Sequence, residues 1–90
     1  MQISPELLIF HELVGLEAQI IDSTDPTQIY ISGIILDETK NTLKIFCNEK
    51  IKVIPKANST FIFKLFNNDR IRINGSLLIG RSENRLSKFK

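Results

Sequence analysis

The sequence predicts an all-β protein, a small antiparallel barrel of about six strands with a short helix at each end. Fifteen Ile and six Phe among 90 residues favour strands, because β-branched and aromatic side chains pack well on a pleated surface. Between residues 16 and 80, apolar and polar residues alternate with a period of two, and turn residues interrupt the alternation at short intervals. Short, closely spaced strands of this kind are typical of a β-sandwich or barrel.

The first element is a predicted helical extension over about residues 4–14. Ser4 suits the N-cap, Pro5 suits the first helical position, and Gly15 can end the segment. Its apolar side chains cover more than the single stripe that a helix needs to pack on one sheet. Either one face is kept for a protein partner or the extra residues pack on the domain itself. The residues expected to face a partner are Leu7, Leu8, Phe10 and His11.

Strand candidates then follow each other along the chain. They lie at residues 17–22, 29–37, 42–48, 50–54, 60–66, 70–74 and 77–80. Leu43 and Ile45 alternate with Lys44 and Phe46, so one face of such a strand is expected in the core and the other outside. Gly33 would permit a sharp bend that closes a barrel. The pair at residues 74–75, Asn-Gly, predicts a tight hairpin.

The last element is a predicted C-terminal helix over about residues 82–88. Ser82 can cap its start, and Lys88 lies near its end, in agreement with the helix dipole. With the barrel over about residues 16–80, residues 1–90 then form a single domain.

Charge is strongly segregated along the chain. Residues 1–39 contain seven acidic side chains and no Lys or Arg, whereas residues 40–90 contain all twelve basic residues and three acidic ones. A basic half of this size on a compact fold attracts a polyanion such as RNA. The alternative interpretation is that alternating Lys and Arg merely solvate strand faces and protect sheet edges from aggregation.

The residue types argue against catalysis and metal binding by this chain. The single Cys47 and single His11 offer neither a disulfide nor a Cys/His zinc site, and no nucleophile with a paired base is visible. We therefore expect no catalytic residue, no metal ligand and no cofactor held by the chain. No apolar run approaches the ~18 residues of a membrane span. The chain is expected in the cytoplasm, away from membranes, and as a monomer when alone.

A family resemblance begins at residues 37–43, Asp-Glu-Thr-Lys-Asn-Thr-Leu. This stretch resembles archaeal ribonuclease P protein component 1, which is related to a protein subunit of the eukaryotic ribonuclease P and MRP particles. Further blocks resemble the family in order, at residues 13–16, 21–24, 32–35, 54–56, 74–78, 80–81 and 85–86. The last block departs from the family pattern, since Ser82 stands in place of a Pro and Asn84 in place of an acidic residue.

The resemblance implies an Sm-like barrel that acts as a noncatalytic subunit of the ribonucleoprotein endonuclease that removes 5′ leaders from precursor tRNA. Catalysis there belongs to the ribonuclease P RNA, and Mg²⁺ is expected to serve that RNA. The resemblance also implies pairing with a zinc-ribbon protein subunit of the same particle, largely through terminal elements. Contact with precursor tRNA is expected to be indirect.

The residues expected to contact RNA are basic residues and their neighbours in one turn. Phosphate contact is assigned to Lys40, Lys56, Arg72, Arg81 and Arg85. Thr39, Asn41 and Thr42 are expected to shape or extend the turn around Lys40, although hairpin stability alone explains these turn residues equally well. Two alternative functions stay open: a general Sm-like RNA-binding protein and a protein–protein adaptor.

Overall fold

The computed structural model describes residues 13–65 and 67–80, and this part of the chain forms one six-stranded antiparallel sheet. The strands are β1 (Glu17–Ser23), β2 (Ser32–Glu38), β3 (Thr42–Cys47), β4 (Lys50–Pro55), β5 (Ser59–Lys64) and β6 (Arg70–Asn74). Two short 3-10 helices lie at Pro26–Gln28 and Gly75–Leu78. The predicted terminal helices fall outside the described residues, apart from Leu13 and Val14, which lead into the turn before β1.

The strand order in the sheet is β4-β3-β2-β1-β5-β6. Strands β1 to β4 pair in sequence, and β5 then returns to pair with β1, with Ala18 opposite Phe63. Strands β4 and β6 are the two edges, so the described sheet is not closed. Ile54 on β4 and Ile73 on β6 nevertheless lie in the same buried cluster, because the sheet curls around its core. The all-β prediction with six antiparallel strands is confirmed.

Inward residues of every strand fill the core. Leu43 and Ile45 are fully buried, whereas Phe46, which follows Ile45 on β3, is exposed, as the period-two alternation predicts. Gly33 matters for a steric reason: a β-carbon at this position would lie 1.9 Å from the carbonyl oxygen of Phe46. A glycine is therefore needed for the close approach of β2 and β3.

A β-bulge in β2 changes which side chains face the core. Ile35 pairs with Ile45 and Asp37 pairs with Lys44, so Leu36 is an extra residue with no partner on β3. Without the bulge, strict alternation from Ile35 would turn Glu38 outward. With it, Glu38 lies opposite Leu43 and is 6% exposed. The bulge thus brings a carboxylate into the protein interior.

Two sequence predictions about element boundaries are wrong. Residues 77–80 are not a strand, because the side chain of Asn74 accepts a hydrogen bond from the Ser76 amide and caps the 3-10 helix Gly75–Leu78 instead of starting a hairpin. Strand β2 begins at Ser32 instead of residue 29, because Tyr30 adopts a left-handed conformation (φ 73°).

Candidate nucleic-acid interface

The turn between β2 and β3 is built by its two threonines. The Thr39 Oγ1 accepts a hydrogen bond from the Thr42 amide at 3.1 Å and lies 2.6 Å from the Thr42 hydroxyl oxygen. The Thr39 amide donates to the Thr42 carbonyl at 3.0 Å. Both threonines are half-buried, whereas Lys40 and Asn41 between them are exposed. The turn therefore presents one cation and one amide side chain to solvent.

Lys56 lies behind this turn, in the connection between β4 and β5. Its side chain is fully buried, and its ammonium nitrogen Nζ lies 2.8 Å from Glu38 Oε2. The same ammonium donates to the carbonyl oxygens of Thr39 at 2.8 Å and Lys40 at 3.4 Å. The assignment of Lys56 to phosphate contact is therefore wrong: a buried ammonium needs partners inside the protein, and this one has them.

The end of the described chain is bound to the same place. The Gly80 amide donates to the Lys40 carbonyl at 2.7 Å, and the Gly80 carbonyl accepts from Lys56 Nζ at 2.9 Å. Gly80 has a φ of 95°, which side-chain-bearing residues rarely adopt. We call Lys56, Glu38, Thr39, Lys40 and Gly80 the Lys56 cluster. It joins the end of β2, the connection between β4 and β5, and the chain immediately before Arg81.

A second group of cations lies on the outer face of β5 and β6. Lys64 is directly opposite Arg70, and Arg72 is two residues further along β6, opposite Ile62. Arg70 and Arg72 are exposed, and Lys64 is half-buried. Glu17 on β1 lies on the other side of Lys64, with 3.8 Å between Glu17 Oε2 and Lys64 Nζ. We call Lys64, Arg70 and Arg72 the basic face.

The other half of the same outer face is apolar. Pairing across the sheet places Ile51, Phe46 and Ile34 side by side on β4, β3 and β2, and Ile34 then lies opposite Glu17. These three side chains are 59%, 45% and 43% exposed, respectively. We call them the apolar row. One line of outward residues across six strands thus changes from apolar to charged between β2 and β1.

The predicted RNA-contacting residues are only partly brought together. Thr39, Lys40, Asn41 and Thr42 share the turn, and Arg72 lies separately on the basic face. Arg81 and Arg85 lie outside the described residues, as do the predicted partner-facing residues Leu7, Leu8, Phe10 and His11. Lys64 and Arg70 complete the basic face although they were not in the expected set. Their outward positions follow from the same strand alternation that placed Arg72.

Within residues 13–65 and 67–80, no group of three or more His, Cys, Asp or Glu side chains is placed to hold a metal ion. Cys47 is a free, half-buried thiol. Among the described residues, no helix is long and apolar enough to cross a membrane.

Comparison with known proteins gives a consistent result. The family described as Ribonuclease P/MRP, subunit p29, matches residues 6–88. Ribonuclease P protein component 1 of Thermococcus onnurineus is 46% identical over 87 residues, which cover 97% of this chain and 68% of the relative. The same-named protein of Methanococcoides burtonii is 40% identical over 96 residues, which cover 100% of this chain and 95% of the relative.

A solved structure agrees with the sequence relatives. The structure of Mth11, described as a homologue of the human RNase P protein Rpp29, is 36% identical, with a TM-score of 0.62, over 83% of this chain and 97% of Mth11. The family match spans nearly the whole chain, and it includes both the turn with the Lys56 cluster and the basic face. This chain therefore belongs to the ribonuclease P/MRP p29 family of ribonuclease P protein subunits.

Proposed function

We propose that this chain is a noncatalytic subunit of the ribonuclease P that removes 5′ leaders from precursor tRNA, and that it binds and stabilises the catalytic RNA. One observation carries the RNA contact: Lys64, Arg70 and Arg72 lie at neighbouring cross-strand positions with their side chains outward. Adjacent fixed cations on a sheet match the repeated negative charge of an RNA backbone. The exposed Lys40 and Asn41 of the turn extend this contact.

The chain acts on RNA by charge and shape. Lys and Arg side chains on a folded sheet neutralise phosphates where RNA helices crowd together, and they release condensed counterions on binding. The active RNA conformation then needs less Mg²⁺, which serves the RNA and is not held by this chain. Because a folded RNA helix hides most base edges from side chains, recognition rests on the backbone and on shape.

Pairing with another protein subunit uses a different surface. Exposed apolar patches are typical of protein interaction sites, and the apolar row is a patch of this kind. RNA phosphates gain nothing from such a surface. We assign the apolar row, together with Leu7, Leu8, Phe10 and His11, to a zinc-ribbon protein subunit of the same particle. Alone, the chain is a cytoplasmic monomer.

The first experiment is recovery of the tagged chain from its own cells at moderate salt, followed by RNA sequencing and protein identification. Enrichment of ribonuclease P RNA together with a zinc-ribbon protein is the expected result. Ribonuclease P activity on precursor tRNA in the recovered material checks that the particle is intact.

Two other outcomes would contradict the proposal. Recovery of many unrelated RNAs would favour a general Sm-like RNA-binding protein. Recovery of proteins without RNA would favour an adaptor whose basic face has no RNA partner.

A further inference from the structure

We propose that Lys56 is a positioning residue: it joins the β2–β3 turn to the chain at Gly80 and thereby fixes the position from which the Lys40 side chain meets the RNA. This inference rests on the proposed function. Lys56 itself does not touch RNA, because its side chain is fully buried.

The ammonium of Lys56 is bonded to groups from separate parts of the chain. It lies 2.8 Å from Glu38 Oε2 and donates to the carbonyls of Thr39 at 2.8 Å and Gly80 at 2.9 Å. An ammonium has three N–H donors and no acceptor, so these three short contacts match its full donor capacity. The arrangement fixes the relative positions of β2, the turn and Gly80.

The backbone of Lys56 is held as firmly as its side chain. Its amide donates to the Asn41 carbonyl at 2.8 Å, on the same turn. Its carbonyl oxygen lies only 1.9 Å from where a β-carbon of Gly75 would stand. Gly75 begins the 3-10 helix that leads to Gly80. Lys56 therefore contacts the C-terminal part of the chain at two places, and both contacts have little freedom to move.

The direction of these bonds decides what the turn exposes. The carbonyls of Thr39, Lys40 and Asn41 all accept hydrogen bonds from Lys56 or Gly80, so the turn's backbone acceptors point inward. The side chains of Lys40 and Asn41 are left exposed. An apolar residue at position 56 would fill the space without directing the carbonyls. A carbonyl left pointing outward would add negative potential beside the Lys40 ammonium.

The test compares three variants of the full chain for binding to the ribonuclease P RNA of the source organism, at a temperature where each is folded. Lys56→Met removes the ammonium and keeps an unbranched side chain as far as the ε position. Gly80→Ala disturbs the far end of the Lys56 cluster and leaves Lys56 in place. Gly15→Ala is the matched control: its φ of 94° equals that of Gly80 within a degree, and nothing lies within 4 Å of its β-carbon position.

We expect Lys56→Met and Gly80→Ala to lower RNA affinity about tenfold at about 150 mM salt and to reduce the slope of log affinity against log salt by about 1, since Lys40 loses its fixed position. Gly15→Ala should leave the slope unchanged. Amide hydrogen exchange gives a readout without RNA. In Lys56→Met the Gly80 amide, bonded to the Lys40 carbonyl, should exchange at least about tenfold faster through local opening, whereas the Ile20 amide in the sheet should accelerate only by the factor that the loss of global stability predicts.

Each contrary outcome has a separate meaning. If Lys56→Met and Gly80→Ala lower only the melting temperature and keep wild-type affinity and slope, the positioning role is refuted while the RNA-binding function stands. An unchanged Gly80 exchange rate in Lys56→Met also refutes it. If the wild-type chain shows no salt-dependent binding to this RNA, the proposed function fails, and this inference fails with it.

Discussion

Two Lys–Glu pairs in this protein have the same chemistry and different environments. Lys56 and Glu38 are 2.8 Å apart, with side chains 0% and 5% exposed. Lys64 and Glu17 are 3.8 Å apart, with side chains 39% and 51% exposed. A buried charge without its partner is costly, whereas an exposed pair competes with water and salt and contributes little. We therefore assign the buried pair to the architecture and the exposed cation to RNA contact.

The largest expected effect comes from breaking the buried pair. Lys56→Met removes the cation that lies 2.8 Å from the buried Glu38 carboxylate and donates to the carbonyls of Thr39 and Gly80, which should lower the free energy of unfolding by about 3–5 kcal/mol. Denaturant unfolding measures the loss. The double variant Lys56→Met/Glu38→Leu should recover part of the loss, because the buried carboxylate is removed together with the ammonium, while the hydrogen bonds from Lys56 to the carbonyls of Thr39 and Gly80 stay absent. A loss below about 1 kcal/mol in the single variant would contradict the assignment.

Crowding around Lys56 gives the next largest effect. Gly75→Ala forces a β-carbon against the Lys56 carbonyl oxygen and, at 2.7 Å, the Ser59 carbonyl oxygen. Overpacking of this kind should cost about 1–3 kcal/mol, measured by thermal or denaturant unfolding. The neighbouring exposed Ser76→Ala is the control and should stay within about 0.5 kcal/mol of wild type. Equal stability of the two variants would show that the region adjusts easily.

Substitutions in the basic face should weaken RNA binding and leave the stability of the fold nearly unchanged. The double variant Arg70→Ala/Arg72→Ala should change stability by less than about 0.5 kcal/mol, because both side chains are exposed. Its salt slope for binding ribonuclease P RNA should fall by about 2, one for each lost phosphate contact.

Lys50→Ala/Lys52→Ala removes the same charge from the edge strand β4 and is the matched control for the basic face. Lys52 lies opposite the core residue Ile45, and an inward-pointing lysine on an edge strand is typical protection against edge pairing. This control should leave the salt slope nearly unchanged. Equal losses in the two double variants would mean that net charge, and not the basic face, attracts the RNA.

The smallest effect belongs to the exposed pair. Glu17→Gln should change the free energy of unfolding by less than about 1 kcal/mol, because screening limits the pair's contribution. RNA affinity at low salt should rise by about twofold, since a negative charge beside Lys64 is removed, and the rise should vanish at high salt. A fall in RNA affinity would instead mean that Glu17 is needed to orient Lys64.

Much of the sheet was predictable because strand alternation is a local pattern. Leu43 and Ile45 are buried and Phe46 is exposed, as their spacing predicts. The exposed positions of Arg70 and Arg72 follow from the same rule. The prediction of a strand at residues 77–80 was wrong because Asn74 caps a 3-10 helix. Side-chain caps and hairpin turns favour the same residue types, so the sequence alone does not distinguish them. The RNA-contacting residues stay a prediction.

The burial of Lys56 could not be predicted from local sequence patterns. Strand alternation, the separation of charges and the family blocks can all be seen along the chain, because each depends on residues close in sequence. The burial of Lys56 depends on an extra residue, Leu36, that turns Glu38 inward, and on Gly80, which is 24 residues away along the chain. A lysine in a short polar connection has no local feature that distinguishes a surface cation from a buried one. The end of β2, the connection between β4 and β5, and Gly80 are distant in sequence and come together only in the tertiary structure. This contact buries Lys56, so a residue expected to bind RNA instead stabilises the protein interior.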